Sequence, residues 1–249
     1  MPKYFFSLQQ IVGDTIAVEG TIAHHVLHVL RMAAGDSVVF CDGAETDYTA
    51  TIKSSNPKKT QVIFKLTNPQ KCLTELPRRI VLHQALTKGD KMELIMQKCV
   101  ELGVHEIVPV MTSHCVVRIK DAAKKAVRYQ QIVESAAGQS MRGIVPRVSP
   151  AITFENALNQ VDSNGQTLVA HEREQELSLV SALTTANAID IWVGPEGGFT
   201  DQEIVALKNR GAVTVSLGPR ILRAETAAIA AVATVALNLG VVANDNLLR

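Results

Sequence analysis

Hydrophobic residues in the first 70 positions occur in short runs and not at helical spacing. The runs DSVVFCD, DYTATIK and TQVIFKL are separated by Gly, Asp, Asn, Pro and Lys. Short runs rich in β-branched residues between turn formers are typical of strands. The pattern predicts a small β-barrel. Residues 68–79, NPQKCLTELPRR, carry two prolines and no periodicity, and they predict a linker.

The pattern changes after this linker. RIVLHQAL, residues 79–86, reads as a buried strand, and EIVPVM reads as a second one. Between them, apolar residues recur at helical spacing from Asp90, a predicted N-cap, to Leu102, with Gly103 as the stop. A strand, a helix and a strand of these lengths predict a parallel pair joined by a crossover.

The rest of the chain continues this alternation. TLVAH, AIDIWV and VTVSL read as strands, and helices are predicted near residues 121–137, 154–161, 176–183, 201–210 and 224–239. The predicted fold class is therefore α/β, with a mostly parallel sheet that follows a small β-rich domain.

Composition and charge narrow the class of protein. The formal net charge is +1, and no apolar run reaches the roughly 18 residues of a membrane span. The N-terminus lacks the pattern of a signal peptide, so we expect a cytoplasmic protein without membrane partners. The four cysteines have no zinc spacing, so we expect reduced thiols and no metal site.

Charge is unevenly distributed along the chain. Residues 78–147 contain 12 Lys and Arg against 6 Asp and Glu, whereas residues 148–249 contain 6 against 11. A basic middle segment indicates a surface that binds a polyanion. The alternative is a chance distribution of solvated surface charge.

Two glycine loops carry the strongest chemical signal. IDIWV is followed by GPEGGFTDQE, in which Thr200 and Glu203 form a capping box for the next helix. VTVSL is followed by GPRILRAET, again a strand, a Gly-Pro loop and a helix. Parallel sheets bind ligands outside the carboxyl ends of their strands. Either loop alone is an ordinary turn by default, but the pair together predicts a small-molecule site. Neither loop has the glycine spacing of a dinucleotide or phosphate loop.

These two loops resemble the signature motifs of the RsmE family of SPOUT-class methyltransferases. HHVLHVLRMAAGD near the start and KGDKMELIMQKCVELGVHEIVPVMT, residues 88–112, resemble the same family. The resemblance implies a PUA-like RNA-binding β-barrel over residues 1–72 and a SPOUT domain over residues 73–249, whose C-terminal part forms a trefoil knot. It further implies a homodimer that transfers a methyl group from S-adenosylmethionine to N3 of a uridine in 16S ribosomal RNA, at position 1498, within the small subunit.

The resemblance also implies the cofactor-binding residues, which lie at the ends of the three last strands. These residues are Leu168, Ala170, Gly194, Pro195, Glu196, Gly197, Gly198, Leu217, Gly218, Ile221, Leu222 and Thr226. Two segments depart from the family pattern. Ser113, His114 and Cys115 stand where the family usually has a Glu-Arg pair, and Gly138 stands where it has Glu.

The chemistry at uracil N3 indicates the catalytic candidates. Loss of the N3 proton leaves negative charge on the flanking carbonyl oxygens, which a fixed cation stabilises. Arg223 is the first candidate and Arg220 the second. Glu225 is a general base, an orienting group for an arginine, or a carboxylate that stabilises a helix N-terminus. The Ala-rich helix that follows is a core helix or a dimer contact.

RNA contacts are predicted from basic residues on both predicted domains. The candidate phosphate ligands are Lys3, Arg31, Lys88, Lys98, Arg118 and Arg142. Two other functions remain open at this point. A non-catalytic RNA-binding or ribosome-assembly protein would not need the intact glycine loops, and a nucleotide-dependent oxidoreductase would need a dinucleotide fingerprint.

Overall fold

The computed structural model describes residues 2–117, 121–161 and 164–245, and the side chains of Pro57 and of residues 240–245 are not considered. The chain divides into two compact units. The first contains Met1–Glu75 together with Ala137–Val145, and the second contains Leu76–Ala136 together with Pro146–Arg249. The predicted boundary between residues 72 and 73 thus differs from the units by three residues and by the returning segment.

The first unit is built on a six-stranded, mostly antiparallel sheet. Its strand order is β1-β4-β5-β6-β3-β2. A short helix α1, Gly20–His24, continues directly into a π-helical turn, His25–Val29. The strands are β1 Lys3–Phe5, β2 Ile11–Val12, β3 Thr15–Glu19, β4 Ser37–Cys41, β5 Thr46–Asn56 and β6 Gln61–Lys71.

The alternation of the sequence explains the core of this unit. Val38 and Phe40 on β4, and Val62 and Phe64 on β6, point to one face and are completely buried. The sequence correctly predicted the three long strands, but the linker prediction was wrong at its start. Strand β6 runs on to Lys71, because Thr46 and Asp47 continue to pair with it.

The segment Ala137–Val145 joins the first unit through polar contacts. The Arg142 guanidinium forms an ion pair with Glu75 over 2.6 Å, and both side chains are buried. The Gly143 carbonyl accepts from the Glu45 amide, and the Met141 carbonyl accepts from Lys3 Nζ at 3.2 Å. Gly138 lies so close to the Lys3 carbonyl that a Cβ would approach it to 2.9 Å.

The second unit is a parallel sheet of seven strands. The order is β10-β8-β7-β12-β11-β13, with β9 paired to β8, and every pairing is parallel. The predicted crossover from β7 to β8 is confirmed. The strands are β7 Arg79–Ala85, β8 Glu106–Met111, β9 Arg147–Val148, β10 Ile152–Thr153, β11 Gln166–Ala170, β12 Ala188–Val193 and β13 Val213–Val215.

Helices cover both faces of this sheet. One face packs against α4 and α6 around Trp192, and α7 contacts β7 and β12. The helices are α2 Lys91–Glu101, α3 Ala122–Gln139, α4 Phe154–Leu158, α5 Leu179–Ala182, α6 Asp201–Asn209 and α7 Ala224–Asp245. Two helices, α4 and α5, are shorter than the predicted ranges 154–161 and 176–183. Ser178 caps α5 through a hydrogen bond from the Ser181 amide, so this helix begins later than residue 176.

Four further findings concern membrane spans, metal ligands and the cysteines. Within the described part of the chain, no helix is long and apolar enough to span a membrane. Across the same residues, no three His, Cys, Asp or Glu side chains are grouped as metal ligands would be. All four cysteines are free thiols. Burial raises the pKa of the Cys41 thiol to about 12, which keeps it protonated at neutral pH.

Candidate functional site

The loop after β12 needs its glycines for packing. A Cβ on Gly194 would lie 3.2 Å from the Cα of Gly198, so the two ends of the loop can approach each other only without a side chain at position 194. Gly198 has φ +67°, in the left-handed region that favours glycine. Its amide donates to the Pro195 carbonyl at 3.0 Å, which closes the turn. The loop is therefore compact and has a fixed backbone.

The helix after this loop begins with the predicted capping box. Thr200 accepts from the Glu203 amide, and Glu203 accepts in return from the Thr200 amide at 2.8 Å. The second Glu203 oxygen accepts from the Ser113 amide at 2.8 Å. This buried carboxylate thus joins the start of α6 to the turn after β8.

The loop after β13 is built in a similar way. Gly218 has φ +105°, and its amide donates to the Ser216 hydroxyl at 3.2 Å. The Arg223 carbonyl accepts from the Ala227 amide, so α7 begins immediately after the loop. β12 and β13 are consecutive in the chain but not adjacent in the sheet, because β11 lies between them. The two Gly-Pro loops therefore stand on either side of the end of β11.

A cavity of about 990 Å³ opens between these three strand ends. Most of the predicted cofactor residues line it, namely Ala170, Gly194, Pro195, Glu196, Gly197, Gly198, Leu217, Gly218, Ile221 and Leu222. Two predicted cofactor residues do not. Leu168 is completely buried inside the sheet, and Thr226 is exposed on α7 beyond the cavity wall. The cofactor contacts of Leu168 and Thr226 stay predictions, although neither residue lines the cavity.

The two arginines of the second loop line the cavity and remain exposed. Among the described residues, neither Arg220 nor Arg223 has a carboxylate within ion-pair distance. An unpaired guanidinium at a cavity mouth is free to bind an anion. The structure thus brings both arginine candidates to the predicted cofactor site.

Glu225 is oriented differently. Its carboxylate is 3.4 Å from Lys91 Nζ on α2, and it does not line the cavity. Lys91 itself lines the cavity and also contacts Glu196 Oε1 at 3.0 Å. Lys91 therefore joins the first Gly-Pro loop to the first turn of α7. The sequence placed Lys91 at the start of a helix but gave no sign that two distant carboxylates converge on it.

These contacts change the ionisation of the cavity wall. Partial burial raises the pKa of Glu196, but hydrogen bonds from its own amide, from Lys91 and from the Lys88 amide outweigh this effect. The pKa of Glu196 therefore lies below its usual range. The hydrogen bond to Glu196 is also the main reason that the pKa of Lys91 is raised. Both groups stay charged at neutral pH.

The end of β11 contributes three carboxylates that the sequence reasoning missed. His171, Glu172, Glu174 and Glu176 follow this strand and line the cavity. Hydrogen bonds from the Glu176 amide, from the Thr214 hydroxyl and from the Leu177 amide lower the pKa of Glu174. The signal was present in the sequence, because EREQE directly follows the predicted strand TLVAH of the same sheet.

The predicted RNA-binding residues have different environments. Lys3 is buried with Asp47 at 2.7 Å, and Arg142 is buried with Glu75, so both predictions are contradicted because neither cation reaches solvent. Lys98 is half-buried and pairs with Glu101 at 2.9 Å. Arg31 and Lys88 are exposed. Arg118 lies outside the described residues.

Family models and curated relatives match most of the chain. Residues 74–236 match an RNA methyltransferase domain, and residues 18–65 match an RNA methyltransferase PUA domain. Ribosomal RNA small subunit methyltransferase E of Bacillus subtilis is 34% identical over 98% of this chain and 100% of its own length. The Rickettsia conorii protein of the same name is 34% identical over 86% of both chains.

Solved structures give the same result. The methyltransferase E of Neisseria gonorrhoeae, determined with S-adenosyl methionine bound, has a TM-score of 0.88 and 35% identity over 96% of this chain and 98% of that one. A Legionella pneumophila structure described as a methyltransferase with bound cofactor SAM has a TM-score of 0.85 and 30% identity, covering 95% and 96% of the two chains. The chain therefore belongs to the ribosomal RNA small subunit methyltransferase E family.

Proposed function

We propose that this protein transfers a methyl group from S-adenosylmethionine to N3 of a uridine in 16S ribosomal RNA. The family resemblance indicates position 1498 within the small subunit. The observation that carries the proposal is the cavity at the strand ends, which combines two glycine loops with two arginines that have no carboxylate partner among the described residues. A substrate in the small subunit also implies a cytoplasmic enzyme.

The cavity fits the cofactor in size and in chemistry. A small-molecule site has about 300–1,000 Å³, and the volume of about 990 Å³ leaves room for a cofactor and an entering base. Gly194, Gly197 and Gly218 would hold the cofactor with backbone groups, since these positions carry no side chain that would block a close approach. S-adenosylmethionine supplies the methyl group on a positively charged sulfonium.

The arginines would serve the RNA base. Uracil N3 is a poor nucleophile until its proton leaves, and the anion that forms carries charge on two carbonyl oxygens. Arg223 is the first candidate to stabilise this charge, because it stands at the cavity wall immediately before α7 without an ion-pair partner among the described residues. Arg220 is the second. Glu225 faces Lys91, which favours a structural role over that of general base.

The finer architecture is part of the proposal. α7 follows the edge strand β13 but packs against α2, β7 and the neighbouring β12 in the middle of the sheet. The chain must therefore turn back past the end of β11, and this route supports a trefoil knot. For the first unit, the match of residues 18–65 to an RNA methyltransferase PUA domain supports a PUA-like barrel, with the domains near residues 1–72 and 73–249.

We also propose a homodimer. Leu94 on α2 is 42% exposed and Leu237 on α7 is 68% exposed, although the two helices pack together. An apolar surface on two adjacent helices is suited to a subunit interface. Light scattering at micromolar concentration should give twice the monomer mass of 26.9 kDa. A monomer mass would contradict the dimer and leave the methyltransferase proposal intact.

Two measurements test the enzyme activity. Calorimetric titration with S-adenosylmethionine should show one site per chain, whereas NAD and NADP should not bind. Small subunits from a strain without this protein should gain one methylated uridine on incubation with the enzyme, detected by mass spectrometry of nucleosides. The variant Gly197→Val should fold but not bind, because a Cβ at this position already lies 3.2 Å from His114 Cβ. RNA binding without methyl transfer would instead indicate an assembly protein.

A further inference from the structure

The turn after β8 is fixed to the start of α6. The Cys115 amide donates to the Thr112 carbonyl at 3.1 Å, and the Thr112 amide contacts Cys115 Sγ at 3.4 Å. The Ser113 amide donates to the buried Glu203 carboxylate at 2.8 Å. Residues 112–115 therefore form a rigid turn. This turn is hydrogen-bonded to α6, the helix that follows the first Gly-Pro loop.

His114 extends from this turn to the glycine loop. Its Nδ1 lies 2.9 Å from the Gly197 carbonyl oxygen and 3.2 Å from the Gly198 carbonyl oxygen. Both partners are acceptors, so the hydrogen in this contact must be on Nδ1 of the imidazole. The His114 ring also packs closely, since a Cβ on Gly197 would come within 3.2 Å of His114 Cβ.

These contacts hold the carbonyl groups of Gly197 and Gly198, in addition to the hydrogen bond from the Gly198 amide that closes the turn. Glycine has more conformational freedom to lose than any other residue, so fixing Gly197 and Gly198 at the moment of binding would weaken the affinity for a ligand. A donor shared by both carbonyls fixes the direction of the peptide planes before binding. His114 does not line the cavity, so any effect on a ligand is transmitted through the loop.

We propose that His114 is a positioning residue that preorganises the cofactor loop. This inference rests on the proposed binding of S-adenosylmethionine at that loop. It assigns a role to a side chain from a different strand end, beyond the two Gly-Pro loops themselves. The role requires only an N–H donor at the position of Nδ1, not a charge and not the imidazole ring.

The matched variants are His114→Leu and His114→Asn, because these two side chains have nearly the same shape and only Asn has an N–H donor. Calorimetry should show that Leu weakens S-adenosylmethionine binding by about tenfold, as expected for one lost hydrogen bond of ~1–1.5 kcal/mol. Asn should stay within about threefold of the wild type. At saturating cofactor, methyl transfer by the Leu variant should stay within about twofold of the wild type. Val116→Ala, an exposed position in the same segment, serves as the control.

Several outcomes would overturn this role. The first is that His114→Leu binds the cofactor as tightly as a wild type that binds it normally. The second is that His114→Leu and His114→Asn lose the same amount of cofactor affinity. A wild type that does not bind the cofactor removes the proposed function itself, and His114 loses its role with it. Nitrogen NMR of the wild type gives a test that needs no variant. In its neutral form, the His114 imidazole should carry its hydrogen on Nδ1. A hydrogen found only on Nε2 contradicts the inference.

Discussion

The two units use basic side chains in opposite ways. In the first unit, Lys3 and Arg142 are buried, and each is held by a carboxylate within 2.7 Å. In the second unit, Arg220 and Arg223 are exposed at a cavity, and no carboxylate among the described residues pairs with them. All four side chains are basic, and the composition of the chain does not distinguish the buried pair from the exposed pair.

The difference lies in the partner. A buried cation must be paired, since an isolated charge in the interior costs several kcal/mol. The hydrogen-bond donors of such a cation are already used within the protein, so the pair contributes to stability. An unpaired cation at a cavity mouth has its hydrogen-bond donors available, and it serves a ligand. Removing a buried, paired cation should therefore lower stability, whereas removing an exposed cation at the cavity should lower activity.

Loss of Arg142 should give the largest effect, and it should be an effect on stability. Arg142→Ala leaves Glu75 buried without its cation, which should lower the free energy of unfolding by about 3–5 kcal/mol. Urea denaturation measures this change. Arg147→Ala, at an exposed arginine close by in the chain, should change stability by less than about 0.5 kcal/mol. If Arg142→Ala lowers the free energy of unfolding by less than ~1 kcal/mol, the buried pair does not have the stabilising role that distinguishes it from the arginines of the cavity.

Loss of Arg223 should affect activity and leave stability unchanged. Arg223→Ala should lower methyl transfer by about 100-fold, as for one preorganised charge-stabilising group, with near-normal cofactor affinity. Arg223→Lys should restore only part, since an ammonium lacks the planar fork of the guanidinium. Higher pH should partly compensate the Ala variant, because it favours the ionised uracil. A parallel loss of cofactor binding would place Arg223 in the cofactor site, and an unchanged rate would transfer the role to Arg220.

Loss of the Glu225 carboxylate should affect activity much less than loss of Arg223. Its carboxylate faces Lys91 and not the cavity, so Glu225→Gln should lower methyl transfer by less than about fivefold, the range of a partly exposed ion pair. The pH dependence of the rate should keep its shape. A loss near that of Arg223→Ala, together with a lost ionisation in the pH profile, would make Glu225 the general base.

The smallest effect concerns Lys91 and the pH dependence of stability. The folded-state pKa of Glu196 lies below its ordinary value of 4.5, so its ionised form stabilises the fold above that pH and loses this contribution as the pH falls. Lys91→Met removes one cause of this shift. Thermal unfolding from pH 7 to pH 3 should show the variant less stable at pH 7 and a difference that shrinks below pH ~4.5. A difference that stays constant would exclude this linkage.

Long periodic elements and strand-end loops could be predicted from the sequence. The helix over Lys91–Glu101 and the Thr200–Glu203 capping box depend on residues close together in the chain, so local patterns determine them. The strand order could not be predicted. Nothing local shows that β12 enters the sheet between β7 and β11, since that choice depends on packing of both faces.

The same limit explains the errors in the site. Lys3 and Asp47, or Arg142 and Glu75, are separated by 44 and 67 residues, so no spacing rule identifies them as pairs. The alternation of hydrophobic residues likewise does not reveal that Leu168 points into the sheet interior while Ala170, two residues later, reaches the cavity at the strand end. His114 was visible as a departure from a family pattern, but its contact with Gly197 required the fold.

The returning segment Ala137–Val145 has a consequence for synthesis on the ribosome. The first unit contains the N-terminus, but it is discontinuous in the chain, and Glu75 cannot pair with Arg142 until residue 142 has been translated. The nascent chain must therefore keep its first unit incomplete while α2, β8 and most of α3 are made. Vectorial folding from the N-terminus, one domain after the other, is not available to this protein. The polar contacts of Ala137–Val145 with the first unit can form only after α2, β8 and most of α3 have been translated.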